Sequence, residues 1–147
     1  MAKGVQLRLM AASDWEACRA LCGAGFGGAQ CELPSQDVLK RFLARNPFMS
    51  WVACDEAARV VGCVLCGTDA WRGYLYHLVV ESAFRRRGIG ELLLGRAMGG
   101  LQKFGIQKAL ILSPRGNPDM ELLLLERGWR RGDDVTVYVA DLSVPAT

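Results

Sequence analysis

Histidine is almost missing from this 147-residue chain: His77 is the only one. Imidazole-rich metal sets are thereby deprived of their commonest nitrogen ligand. Long apolar runs are missing too. None approaches the roughly 20 residues that cross a bilayer, and the start, Met1-Ala2-Lys3-Gly4, opens no apolar signal core. A surplus of one charge is also lacking, since 18 Lys and Arg stand against 15 Asp and Glu, a net +3. A binder of nucleic-acid polymers would carry more basic residues and group them on a stripe. No Pro/Ser-rich linker, low-complexity tract or internal repeat divides the chain. These absences predict one soluble, cytoplasmic domain over residues 1–147, with no membrane or nucleic-acid partner. What is abundant is apolar material, 51% of residues, enough for one core that folds without disulfide or metal.

Six cysteines, at positions 18, 22, 31, 54, 63 and 66, are many for such a chain. Without an export signal they read as reduced thiols rather than a disulfide framework. Cys63 and Cys66 form a C-x-x-C, but Val60–Cys66 is β-branched and apolar like a strand, where positions three apart face opposite sides. Buried structural cysteine is therefore expected, and no metal.

Periodicity orders the elements. A strand over Val5–Met10 precedes Ser13, which is placed to cap a helix reaching Cys22, with Glu16 in capping-box position. The glycine-rich stretch from Gly23 to Ala29 predicts a loop. A second helix from Pro34-Ser35 carries Val38, Leu39, Phe42 and Leu43 on one face. Three strands, Ser50–Cys54, Val60–Gly67 and Tyr74–Val80, form an antiparallel meander. From Gly88 the period becomes helical, with Ile89, Leu93, Ala97 and Leu101 on one stripe and Gly105 at its end. A strand at Lys108–Ser113, a helix from Asn117-Pro118 to Gly128 and an alternating strand at Val135–Val139 complete the order β-α-α-β-β-β-α-β-α-β. The expected fold is α+β, a mixed and mostly antiparallel sheet flanked by helices.

One stretch carries chemistry: strand residues Leu78, Val79 and Val80, then Glu81 and a turn, then Arg85, Arg86, Arg87, Gly88, Ile89, Gly90 and Glu91 at a helix start. Unpaired N–H groups and the positive end of the helix dipole suit a phosphate there, and glycine lets it approach the backbone. Neither G-x-x-x-x-G-K-[ST] nor G-x-G-x-x-G is present, so the cradle is neither a P-loop nor the dinucleotide fingerprint.

Most of the chain, and most strongly Gly73 to Leu142, resembles the GNAT superfamily of acetyl-CoA-dependent N-acyltransferases, in its small bacterial single-domain form. Arg85, Gly88 and Gly90 match the family's [QR]-x-x-G-x-[GA] motif. The resemblance implies that Arg86 through Glu91 hold the coenzyme A pyrophosphate by backbone groups. It implies also that Leu78, Val79 and Val80 pair with the pantetheine, and that the strands at Leu75–Val80 and Lys108–Ser113 splay to admit it. Asn117 matches an asparagine that contacts the cofactor, and Gly128-Trp129 a recurrent glycine-aromatic pair. Acetyl-CoA is the implied cosubstrate, and a primary amine on a small molecule or peptide the implied acceptor. Oligomeric state is not set by the sequence, and a homodimer is compatible with it.

Two positions depart from the family. Leu124 stands where many relatives carry a tyrosine acid, and Leu112 where protein N-terminal acetylating relatives carry a glutamate base. Tyr74, His77 and Glu81 are the remaining candidates for proton transfer, each with a plainer reading as a packing or solvated residue. Phe26, Gln30, Cys31, Glu32, Asp69, Trp71 and Arg72 could line the acceptor side. The departures leave two readings open, an N-acetyltransferase and an acyl-CoA-binding regulatory module.

Overall fold

The computed structural model describes residues 2–25, 33–113 and 117–143. Contacts divide the chain into two compact units, Met1–Asn117 and Pro118–Thr147.

In the first unit the strands are β1 (Gln6–Leu9), β2 (Trp51–Cys54), β3 (Val60–Thr68), β4 (Gly73–Val80) and β5 (Ala109–Ile111), in spatial order β1-β2-β3-β4-β5. The first four pair antiparallel, as tight turns such as Asp55–Arg59 allow, and β5 lies parallel to β4. That parallel pairing needs a crossover, which α3 (Ile89–Lys103) supplies. Its stripe Ile89, Leu93, Ala97 and Leu101 is buried, as the spacing predicts. α3 packs on one face of the sheet. Glycines admit it there: a Cβ on Gly73 would lie 2.4 Å from Leu101, and one on Gly62 3.1 Å from Leu93.

The opposite face is covered by α1 (Trp15–Gly25) and α2 (Gln36–Arg45). Their core gathers Cys18, Leu21, Cys22 and Leu39 with Val52, Cys63, Leu65 and Val79, and Phe42 and Tyr76 pack against it. Ser35 caps α2 by accepting the Val38 N–H at 3.3 Å. Val38 itself is exposed at the edge of the stripe, while Leu39 is fully buried. The N-terminal cap differs from expectation: the chain enters α1 by a 3-10 turn at Ala12–Asp14, and Asp14 rather than Ser13 accepts a backbone N–H, from Ala11 at 2.8 Å. α1 also runs through Gly25, so the first part of the glycine-rich stretch is helical; Phe26, Gln30, Cys31 and Glu32 lie outside the described residues.

The second unit holds α4 (Pro118–Glu126), with proline at its first position and Asp119 and Glu121 in its first turn. It ends at Gly128, whose φ of 86° turns the chain so that Trp129 N–H bonds Leu124 O at 2.9 Å. Arg131 pairs with Glu121. The expected strand at Val135–Val139 does not form: the segment is irregular, and Tyr138 is 91% exposed. Alternation prepares two faces, but a strand is stabilised by a ladder, and this unit has no strand among its described residues to supply one.

Candidate functional site

The β4–β5 ladder is short. It joins Gly73 to Ala109, Tyr74 to Leu110 and Leu75 to Ile111, and stops. β4 runs on to Val80 with β3 on its other side, so from Tyr76 onward its edge toward β5 has no strand partner among the described residues. Such an edge is a template for any extended chain bearing amide groups. Leu78 and Val79 are buried, 3% and 4% exposed, so they offer a ligand backbone rather than side chain.

A bulge lies along this edge. Cys63 faces Val79 and Leu65 faces Tyr76, so Val64 is opposed by two residues, His77 and Leu78. His77 takes φ 53°, a left-handed conformation rare for a non-glycine residue. Bulges re-aim side chains and release peptide groups from the ladder. Its carbonyl accepts the Cys63 thiol at 3.6 Å.

Beyond β4 the chain forms a cradle. Glu81 N–H bonds Val61 O at 2.8 Å, and Ser82–Phe84 makes a 3-10 turn. Arg85 donates Nε to Val80 O at 3.1 Å, tying the loop to the strand. Arg86 (φ 63°) and Gly88 (φ 80°) are both left-handed, the curl in which successive backbone N–H groups form an anion-binding concavity. A Cβ on Gly88 would meet nothing within 4 Å, so this backbone is approachable. The first intrahelical bond runs from Leu92 N–H to Gly88 O at 3.1 Å, and the N–H groups of Ile89 and Gly90 precede it at the positive end of the α3 dipole. The part of β4 beyond its ladder with β5 and the anion cradle thus lie end to end on one stretch of chain.

The candidate proton-transfer residues are spread along β4 rather than brought together. Tyr74 is at its start, where its hydroxyl donates to Asp69 Oδ2 at 3.3 Å. Desolvation and the negative charge of Asp69 push the phenol above its ordinary range, which keeps its proton on. Asp69 itself is held below the usual carboxylate range by the N–H groups of Arg72 and Trp71. Glu81 is beyond the far end, paired with Arg59 Nη1 at 2.8 Å. His77, at the bulge, is two residues beyond Leu75, where the β4–β5 ladder ends. Tyr76 packs edge-on to Phe42, at 6.3 Å between ring centroids, and burial raises its phenol. Trp71 is exposed on the β3–β4 hairpin under the Arg72 guanidinium, 4.2 Å away. Leu112 follows β5, and Asn117 immediately precedes α4, in which Leu124 lies.

The sequence pattern overlooked Arg59 and Phe84, which bind the cradle from outside its motif. Phe84 stands directly before the arginine run, the one local signal that could have drawn attention to it. The five described cysteines are buried as expected, Cys31 lying outside the described residues: Cys66 faces α3, its Sγ 4.0 Å from Ala97 O, while Cys63 faces Cys18 and Cys22 under α1. Among the described residues no cluster of His, Cys, Asp and Glu could hold a metal, and no helix is long and apolar enough to cross a membrane.

A parallel ladder that ends at Leu75 and a glycine-opened helix start that follows β4 place an open strand edge next to an anion cradle in an α+β fold. The sequence model of the Acetyltransferase (GNAT) family matches residues 14–128, and the chain belongs to that family. An acetyltransferase of Photorhabdus laumondii is 33% identical over 94 residues, which span 64% of this chain and 64% of that protein. An aminoglycoside acetyltransferase from an uncultured soil metagenomic sample, crystallised with trehalose, superposes with a TM-score of 0.75 at 18% identity, covering 95% of this chain and 97% of that one. The NatC complex bound to Gag peptide and CoA gives 0.72 at 22% identity, over 84% and 83%. At these identities the structural likeness is one of fold.

Proposed function

We propose that the protein moves an acetyl group from acetyl-CoA to a primary amine, on a small molecule or a peptide, by direct attack within a ternary complex. The observation that carries this reading is the continuity of the open β4 edge with the cradle at Arg85–Glu91. The edge from Tyr76 to Val80 suits the two amides of pantetheine, and the backbone of Arg86 to Glu91 suits the pyrophosphate. Asn117 is assigned to the cofactor's side by the family resemblance alone.

The amine nitrogen adds to the thioester carbonyl, the C–N bond forms, and the C–S bond breaks with sulfur leaving as thiolate. Thiolate is a competent leaving group without a strong acid, so leucine at position 124 is compatible with turnover, while leucine at position 112 leaves the base to be supplied elsewhere. The proton shed by nitrogen needs an acceptor. We assign His77, directly or through water, because the bulge gives it a left-handed backbone on the part of β4 beyond its ladder with β5, and imidazole is the commonest side chain in general acid–base catalysis. Tyr74 is the weaker base, since Asp69 favours its protonated form. Glu81 is spoken for by Arg59 and we assign it no proton transfer. Five buried cysteines without a disulfide among the described residues accord with a reducing, cytoplasmic setting.

The test is acetyl-CoA binding followed by turnover. At a hundredfold excess over Kd the ligand stabilises the folded state by about 2.7 kcal/mol, a rise of several degrees in Tm. Gly90→Trp, which fills the cradle, abolishes that rise. Free thiol release on adding peptides, polyamines or aminoglycosides then reports transfer, and His77→Ala lowers kcat by about 10²–10⁴. Stabilisation without release for any amine would point to the acyl-CoA-binding module instead. No stabilisation at all would sink the cradle reading.

A further inference from the structure

Two guanidiniums crowd one ring beside the cradle. Arg87 lies 4.9 Å from the centroid of Phe84, and Arg59 lies 5.9 Å from it. Arg59 comes from the turn before β3 and is anchored twice, Nη1 to Glu81 Oε2 at 2.8 Å and Nε to Asp55 Oδ2 at 3.4 Å. Phe84 is fixed in turn, since its N–H bonds Glu81 O at 2.8 Å. A continuous path therefore leads from Glu81 and Arg59 through Phe84 to Arg87.

The consecutive arginines do different work. Arg85 ties the loop to β4 through Val80 O. Arg87 rests on an aromatic face, which attracts a cation without neutralising it. A guanidinium held over a ring by cation–π attraction still carries its five N–H donors, in the fork that matches two phosphate oxygens. An ion pair in the same place would have left it compensated, as Arg59 is by two carboxylates.

We propose that Phe84 is a positioning residue that presents the Arg87 guanidinium to a phosphate of the acyl-CoA substrate, with the Arg59–Glu81 pair bracing the ring. This rests on the cradle reading above. Phe84→Leu keeps an apolar side chain but removes the ring face, and the expected result is about a two- to fivefold rise in the Kd of acetyl-CoA at low salt. Arg87→Met raises Kd further, and Phe84→Tyr restores the wild-type value. Since the lost contact is a charge on phosphate, the gap between Phe84→Leu and wild type closes as NaCl rises from about 0.05 M to 0.5 M.

Titration calorimetry with acetyl-CoA at both salt concentrations, beside thermal melts of the unliganded variants, decides the matter. A salt-independent gap, or one matched by a loss of fold in the melts, would mean that Phe84 is merely structural and would overturn the proposal. So would an unchanged Kd in Phe84→Leu. Failure of the wild-type protein to bind acetyl-CoA would bring down the cradle reading itself, and this inference with it.

Discussion

At Asp14 burial and pairing pull in opposite directions. Burial alone would raise its carboxyl, but two Arg8 bonds at 2.8 Å, the Ala11 N–H and the Arg8 charge together hold it below its ordinary value. A carboxyl whose folded value is depressed contributes stability in full above its unfolded value, near pH 4, and loses that contribution as pH falls through the folded value. Asp14→Asn should therefore flatten the acid limb of a stability-against-pH curve while leaving its neutral-to-basic shape alone. At neutral pH Asp14→Ala, which also removes the cap, should cost about 1–2 kcal/mol by urea denaturation. The sequence showed a helix start here and named Ser13 for it. Arg8 decided otherwise, because a bidentate guanidinium reaches back from β1 only once the chain has turned. A residue that acts through a partner on another element leaves little trace in its own neighbourhood of sequence.

Within α3, four glycines look alike in sequence and differ in the structure. Gly95 and Gly99 have open space where a Cβ would go, whereas a Cβ on Gly100 would lie 2.6 Å from the carbonyl oxygen of Phe48. Alanine favours helix by about 0.8–1 kcal/mol over glycine. Gly95→Ala and Gly99→Ala should thus each raise stability by roughly that much, and Gly100→Ala should lower it despite the same propensity gain. Thermal melts of the three variants check the contrast. Gly90, at the helix start, is excluded from such stabilisation because the proposed phosphate approaches there. β4 behaves likewise. Its apolar alternation was legible from Tyr74 to Val80, but the extra residue at His77 and Leu78 was not, since a bulge is defined by the partner strand's count.

Across the whole molecule the thiols report on folding. Cys18, Cys22, Cys54, Cys63 and Cys66 are buried and form no disulfide among the described residues. Burial pushes the Cys66 thiol up to about 12, and hydrogen bonding with Cys18 and Cys22, with burial added, raises that of Cys63. Burial keeps a reagent from all five, so alkylation at neutral pH should be negligible at them in the native state. Mass-spectrometric labelling along a urea series should show all five becoming reactive together at the unfolding midpoint. Early labelling of Cys63 or Cys66 alone would mean that the sheet opens locally, contrary to a single core.

By itself the sequence determined the α+β class, the antiparallel meander, the stripe of α3 and the glycine-opened helix start. Each is assembled from short local signals, a period or a capped turn, that neighbouring backbone geometry suffices to express. It also brought out the resemblance on which the family rests. Only the tertiary structure decided where the β4–β5 ladder ends, how Tyr74, His77 and Glu81 are spaced about that end, and that Arg59 joins Phe84 behind the cradle. The same holds for Val135–Val139, whose alternation was necessary for a strand and not sufficient. These are facts about pairs of residues distant in the chain. Which distant groups meet is settled when apolar surfaces close on one another, and no local pattern records it.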